Sequence, residues 1–197
     1  ARIYEGTNEI NRMLSVGMLV KKAMKGHVDL LGPASEVQAE LMGIPSFETP
    51  DYSELFAEEK EMIGKLKKAF LMVAGGAVQK YGPDLDGHQQ LLMAAADILI
   101  EIYMAESTIL RTEKLAKTKG EAAVKEQIAM AQLYLYKAVD IITQKGKEGI
   151  VSFAEGDEQR MMLMGLRRYT KYTNMPNVIG LREIITSKLV AENAYCF

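Results

Sequence analysis

The sequence predicts an all-α protein, an antiparallel helical bundle of the four-helix type preceded by a helix and a long linker. Three observations predict it. From about residue 53 onward, apolar residues recur at spacings of three and four in long segments. Strand-like alternation bounded by turn residues is nowhere convincing. The links between the long segments are short, which makes successive helices antiparallel neighbours.

The first helix is capped by Thr7 and runs through Ile10, Met13, Leu14, Val16 and Met18 to about Lys25, with Glu9 in its first turn, where the helix dipole favours a carboxylate. Gly26 stops it. From His27 to Tyr52 the chain carries Pro33, Pro45 and Pro50 and one short helical pattern, about Ala34 to Met42. A connection of about 25 residues exceeds the usual length inside a compact domain, so it marks a boundary between two units. The expected division is 1–26, the end of a preceding region, 27–52, a linker, and 53–197, a helical bundle.

The bundle begins with a helix from about Ser53 to Tyr81, whose stripe is Leu55, Phe56, Met62, Ile63, Leu66, Phe70, Val73, Ala77 and Val78. Gly75 and Gly76 weaken it locally. The second helix spans about Gly87 to Lys119. From Leu91 to Met104 it is apolar on almost every face except at Asp97 and Glu101, which makes it the buried centre. Gly120 separates it from the third, about Glu121 to Lys145, and the glycines of Gly146-Lys147-Glu148-Gly149 read as a helix end. The fourth runs from about Asp157 to Thr173, and a short helix from about Ile179 to Glu192 closes or extends the bundle. No internal repeat of solenoid type is visible.

Composition narrows the function. The 197 residues are 48% hydrophobic and 25% charged, with a formal net charge of -2, as in a soluble globular protein. Basic residues are interleaved with acidic ones, so nucleic acid is rejected as a partner. A single cysteine, Cys196, fits a reducing compartment. The apolar run from Leu91 to Ile100 is interrupted by Asp97 and falls short of the ~20 residues of a membrane span. The opening residues have neither an initiator Met nor the pattern of a signal peptide, so the chain reads as a fragment whose start lies upstream.

Most of the chain names no function, but its first dozen residues do. The run Ile3-Tyr4-Glu5-Gly6-Thr7-Asn8-Glu9-Ile10-Asn11-Arg12 resembles the signature near the end of the catalytic region in acyl-CoA dehydrogenases, where aromatic-Glu-Gly-Thr precedes a helix. The extension after the linker is similar in kind to C-terminal domains added in the very-long-chain members and in some bacterial homologues. The resemblance implies oxidation of a fatty acyl-CoA thioester to the trans-2-enoyl-CoA, with FAD taking the hydride from the β carbon. It also implies an electron-transfer acceptor, a homo-oligomer, more readily a dimer than a tetramer, and a bacterial cytoplasmic or mitochondrial matrix location.

By resemblance Glu5 is the base for the α proton, and its own N–H hydrogen-bonds the thioester carbonyl together with the flavin ribityl chain. Such a proton is a very weak acid, and burial raises the basicity of a carboxylate toward what is required. Gly6 lets the thioester approach the backbone, and Tyr4 matches the aromatic position lining the substrate cleft. Thr7, Asn8 and Glu9, at the helix N-terminus, match positions used against FAD. Arg2 and Arg12 match common basic positions to which the sequence assigns no ligand.

Rival readings are weaker. A two-metal carboxylate bundle needs Glu-x-x-His on each of two helices, and neither His27 nor His88 completes one, so no metal is expected. Asp97, Glu101 and Glu106 read as a solvated seam or as partners of lysines on neighbouring helices. The thirteen methionines read as core filling rather than an adaptable groove. Arg167, Arg168 and Lys171 with Tyr169 and Tyr172 offer a basic, aromatic face for a partner subunit or for peripheral membrane contact. The alternative function is therefore a non-catalytic module for oligomerisation or membrane docking, and the isolated fragment is expected to be inactive.

Overall fold

Apolar residues at helical spacing leave each segment with one dry face, and the fold is the arrangement that lets those faces cover one another. A computed structural model describes residues 3–43 and 51–197. Arg2 and the part of the expected linker holding Pro45 and Pro50 lie outside the described residues. Among those described, all regular structure is helical: α1 (Asn8–Met24), α2 (Leu31–Met42), α3 (Ala57–Tyr81), α4 (Gln89–Lys119), α5 (Lys125–Phe153), α6 (Gly156–Tyr169) and α7 (Val178–Glu192). Short 3-10 turns at Gly82–Gly87 and Glu121–Val124 lead into α4 and α5.

The centre is α4, which packs against α1, α3 and α5. Its consecutive buried alanines, Ala94, Ala95 and Ala96, with Ile98, Ile102 and Ile109, account for the nearly all-round apolar pattern of its middle. Met62, Leu66, Phe70 and Val73 of α3 and Leu135, Ala138 and Ile142 of α5 complete the core. Gly120, at φ 83, turns the chain so that α5 returns along α4. The outer helices close the sides, α2 on α3 and α6, and α7 on α5.

Several boundaries differ from the sequence expectation, each for a local or packing reason. Phe56 takes a left-handed φ of 62, so α3 starts at Ala57 instead of Ser53 while the Phe56 side chain stays in the core. Helix α2 starts at Leu31, ahead of the expected Ala34, because Pro33 sits in its first turn, where an N–H would have no intrahelical partner. The Asp29 carboxylate accepts from the Gly32 N–H at 3.0 Å. Far from standing loose, α2 is pinned by Glu40, which bridges Lys68 of α3 at 2.6 Å and Arg168 of α6 at 3.2 Å.

The largest correction concerns glycines. Helix α3 runs unbroken through Gly75 and Gly76, and α5 continues eight residues beyond the expected stop at Lys145, through Gly146 and Gly149, to Phe153. These glycines are contact points. A Cβ at Gly146 would meet Leu166 Cδ1 at 2.7 Å, at Gly149 Val73 Cγ1 at 3.0 Å, and at Gly76 the Phe153 ring at 2.8 Å. Helix α6 then ends at Tyr169 instead of Thr173.

Candidate catalytic segment

The segment from Ile3 to Asn11 is a tight corner followed by a capped helix. Thr7, in extended conformation, is the N-cap of α1, and its hydroxyl accepts from the Ile10 N–H at 3.4 Å. Glu9 lies in the first turn as expected. The N–H groups of Asn8 and Glu9 precede the first intrahelical bond and so remain available to a ligand. Just before the cap, Glu5 has φ 57 and Gly6 φ 90. A left-handed conformation is ordinary for glycine and uncommon for glutamate. The corner is closed by Asn11, whose Nδ2 donates to the Gly6 carbonyl at 3.0 Å. A Cβ on Gly6 would stand 2.8 Å from Asn11 Oδ1, which gives the glycine a second reason to be there.

Tyr4, Glu5, Gly6, Thr7, Asn8 and Glu9 are thus brought together at one end of α1. All except the half-buried Thr7 are exposed, Tyr4 at 78%. The burial that a carboxylate base requires is not provided by the described residues. The outward side of α1 is apolar as well, with Ile10, Leu14 and Met18 exposed one turn apart beyond the exposed Ile3 and Tyr4.

What holds this end in place is a contact the sequence left unassigned. Arg12 of α1 donates through Nη2 to Asp97 Oδ1 of α4, both side chains being four-fifths buried. With Val16, which is 2% exposed, and the partly buried Met13 and Val20, it fixes the inner face of α1 to the bundle. The other acidic residues of α4 are divided among separate partners: Glu101 accepts from the Tyr134 hydroxyl at 2.9 Å, and Glu106 pairs with Lys67 at 2.6 Å. Burial and the Glu101 carboxylate push the Tyr134 phenol up to about 12.

The basic, aromatic face expected near the end of α6 does not form as one surface. Tyr169 is 2% exposed, with its hydroxyl lacking a partner among the described residues, and Arg168 turns inward to Glu40, leaving Arg167 and Lys171 outside. Its aromatic half is needed by the core. Among the described residues no three or more His, Cys, Asp or Glu side chains gather as a metal site would require, and no helix is long and apolar enough to cross a membrane. His88 stacks on Tyr81 with ring centroids 3.5 Å apart.

Comparisons with known proteins bear on this corner and on the bundle behind it. A model of the acyl-CoA dehydrogenase C-terminal domain matches residues 65–168. A Bacillus subtilis (strain 168) protein named "Probable acyl-CoA dehydrogenase" is 38% identical over 191 residues, which is 97% of this chain and 32% of that protein. The crystal structure of an acyl-CoA dehydrogenase complexed with FAD from Bacillus anthracis superposes with a TM-score of 0.91 at 40% identity, covering 100% of this chain and 33% of that one. The chain therefore spans about a third of the length of both relatives.

Proposed function

The chain belongs to the acyl-CoA dehydrogenase family, and on that premise we propose that it is the C-terminal part of an FAD-dependent enzyme oxidising fatty acyl-CoA to trans-2-enoyl-CoA. Glu5 is the base that removes the α proton. The observation that carries this reading is the corner itself, a glutamate held at positive φ directly before a glycine and a capped helix. Strain of this kind, of order 1–3 kcal/mol, persists where surrounding structure over-determines it, and it gathers at active sites.

Each residue has a task in this reading. The Glu5 carboxylate takes the proton, and its N–H, which has no acceptor among the described residues, donates to the thioester carbonyl as the α carbon becomes anionic. Gly6 leaves the backbone open to the thioester, and Tyr4 lines the cleft. The free N–H groups at Asn8 and Glu9, with the Thr7 cap, suit the polar oxygens of a flavin dinucleotide. FAD, when bound, supplies the acceptor for the β hydride. An electron-transfer acceptor then reoxidises the enzyme. The two-thirds of the relatives' length that this chain does not span would supply the walls that bury Glu5. The first 26 residues thus finish a catalytic region, and 53–197 form the appended bundle.

The test is Glu5→Gln in the full-length protein, where the amide keeps the shape but cannot take the proton. Flavin absorbance should be retained and turnover should fall by at least ~100-fold. Turnover near that of the parent would exclude Glu5 as the base. The 197-residue chain alone should neither bind FAD stoichiometrically nor turn over acyl-CoA.

A second, compatible reading makes the bundle an assembly module. Ile100, Tyr103, Met104 and Leu110 are exposed on one face of the longest helix, α4. If this face joins two copies, Tyr103→Glu should convert a dimer to a monomer in sedimentation velocity. An unchanged sedimentation coefficient would dismiss it.

A further inference from the structure

A cavity of about 360 Å³ lies between α1, α2, α3 and α6, well away from the Glu5 corner. Leu19, on its α1 wall, is about 16 Å along the helix from Asn8. The volume falls within the ~300–1,000 Å³ that holds whole small molecules. Its floor is apolar and buried, formed by Val37, Phe70, Met72 and Met162. Its exposed rim carries the polar Ser35, Gln38, Gln79 and Glu158 beside the apolar Met24 and Leu31. Where α2 and α3 cross, the side chains are small: a Cβ on Gly75 would stand 3.4 Å from that of Ala34.

We propose that this cavity is a binding site for an uncharged single-chain aliphatic molecule whose head carries a hydroxyl or amide. The deep end offers only hydrocarbon and thioether surface, so a chain entering it leaves water without losing any hydrogen bond. Met72 and Met162 adapt to the shape of what they touch. The mouth selects the head group. No Lys or Arg lines it among the described residues, and the Glu158 carboxylate repels an anion, so a free fatty acid is disfavoured. Serine hydroxyls and glutamine amides both donate and accept, and a carboxylate accepts only, so a neutral head with a hydrogen-bond donor satisfies all of them.

Titration calorimetry of the 197-residue chain with 1-decanol, 1-octanol and decanoate tests this. Decanol should bind with one site per chain, octanol roughly tenfold more weakly, as each buried methylene adds to affinity, and decanoate at least tenfold more weakly than decanol. Ala23→Leu on α1 and Ala74→Leu on α3 fill the cavity from two partly exposed walls. Each should weaken decanol at least tenfold while the thermal melt stays cooperative, and should one variant fail to fold the other is read. Absence of saturable decanol binding, equal binding of decanoate, or unchanged binding in a folded variant would overturn the proposal.

Discussion

Gly146 of α5 faces Leu166 of α6 so closely that a methyl group on the glycine would meet Leu166 Cδ1 at 2.7 Å. Leu166 is 1% exposed and cannot swing into solvent. Gly146→Ala should therefore destabilise the chain by about 1–3 kcal/mol, the usual effect of overpacking a filled core. Chemical denaturation of Gly146→Ala, Leu166→Ala and the double variant checks it. The double variant should be more stable than the sum of the single effects predicts, because truncating Leu166 makes room for the methyl.

Gly17 in α1 and Gly64 in α3 are the counterpart. A Cβ at either would meet nothing within 4 Å, and neither has a positive φ. Replacing each with alanine should stabilise the chain by about 0.5–1 kcal/mol, since glycine inside a helix loses more backbone entropy on folding. A fall in melting temperature at either position would contradict the packing described for them.

The Arg12–Asp97 pair couples the helix behind Glu5 to the centre of the bundle. Asp97→Ala leaves a mostly buried guanidinium without its carboxylate and should destabilise by about 1.5–3 kcal/mol. Arg12→Met with Asp97→Leu should recover much of that loss, as two apolar groups leave no unpaired charge. Equilibrium unfolding of the single and double variants measures this. In the full-length protein, Asp97→Ala should also reduce turnover by loosening α1, with flavin content as the control.

Tyr134 sets a pH dependence on the alkaline side. Burial and the Glu101 carboxylate favour the neutral phenol in the folded state, raising it to about 12 from the ordinary value of 10.0. Its contribution is full below pH 10 and is lost as pH rises from 10 toward 12, because the unfolded chain ionises first. Tyr134→Phe should destabilise by about 1 kcal/mol at neutral pH through the lost hydrogen bond and should reduce the fall in stability between pH 10 and 12. An identical slope in the variant would show that Tyr134 does not contribute.

Helix identity was legible in the sequence because helix formation is local: three- and four-residue spacing, the Thr7 cap and the Gly120 turn act within a few residues of one another. The corner at Glu5 and Gly6 was legible for a similar reason, being a short contiguous run. Arg12 was not, because its partner is 85 residues away. The cavity was missed too, as its lining comes from four helices and leaves only scattered Met, Ala and Gly as its trace.

The sequence by itself determined an all-α chain, the central place of α4 and the residues grouped at the start of α1. Tertiary structure decided what Gly146 and Gly149 mean. Alone they read as a helix stop, and in the fold they are the points where α5 meets Leu166 of α6 and Val73 of α3 so closely that a methyl group would press on those side chains. It also decided that Tyr169 lies inside while Glu5 lies outside. Backbone conformation is written mainly in neighbours along the chain, whereas burial and close contact depend on residues that only folding brings near.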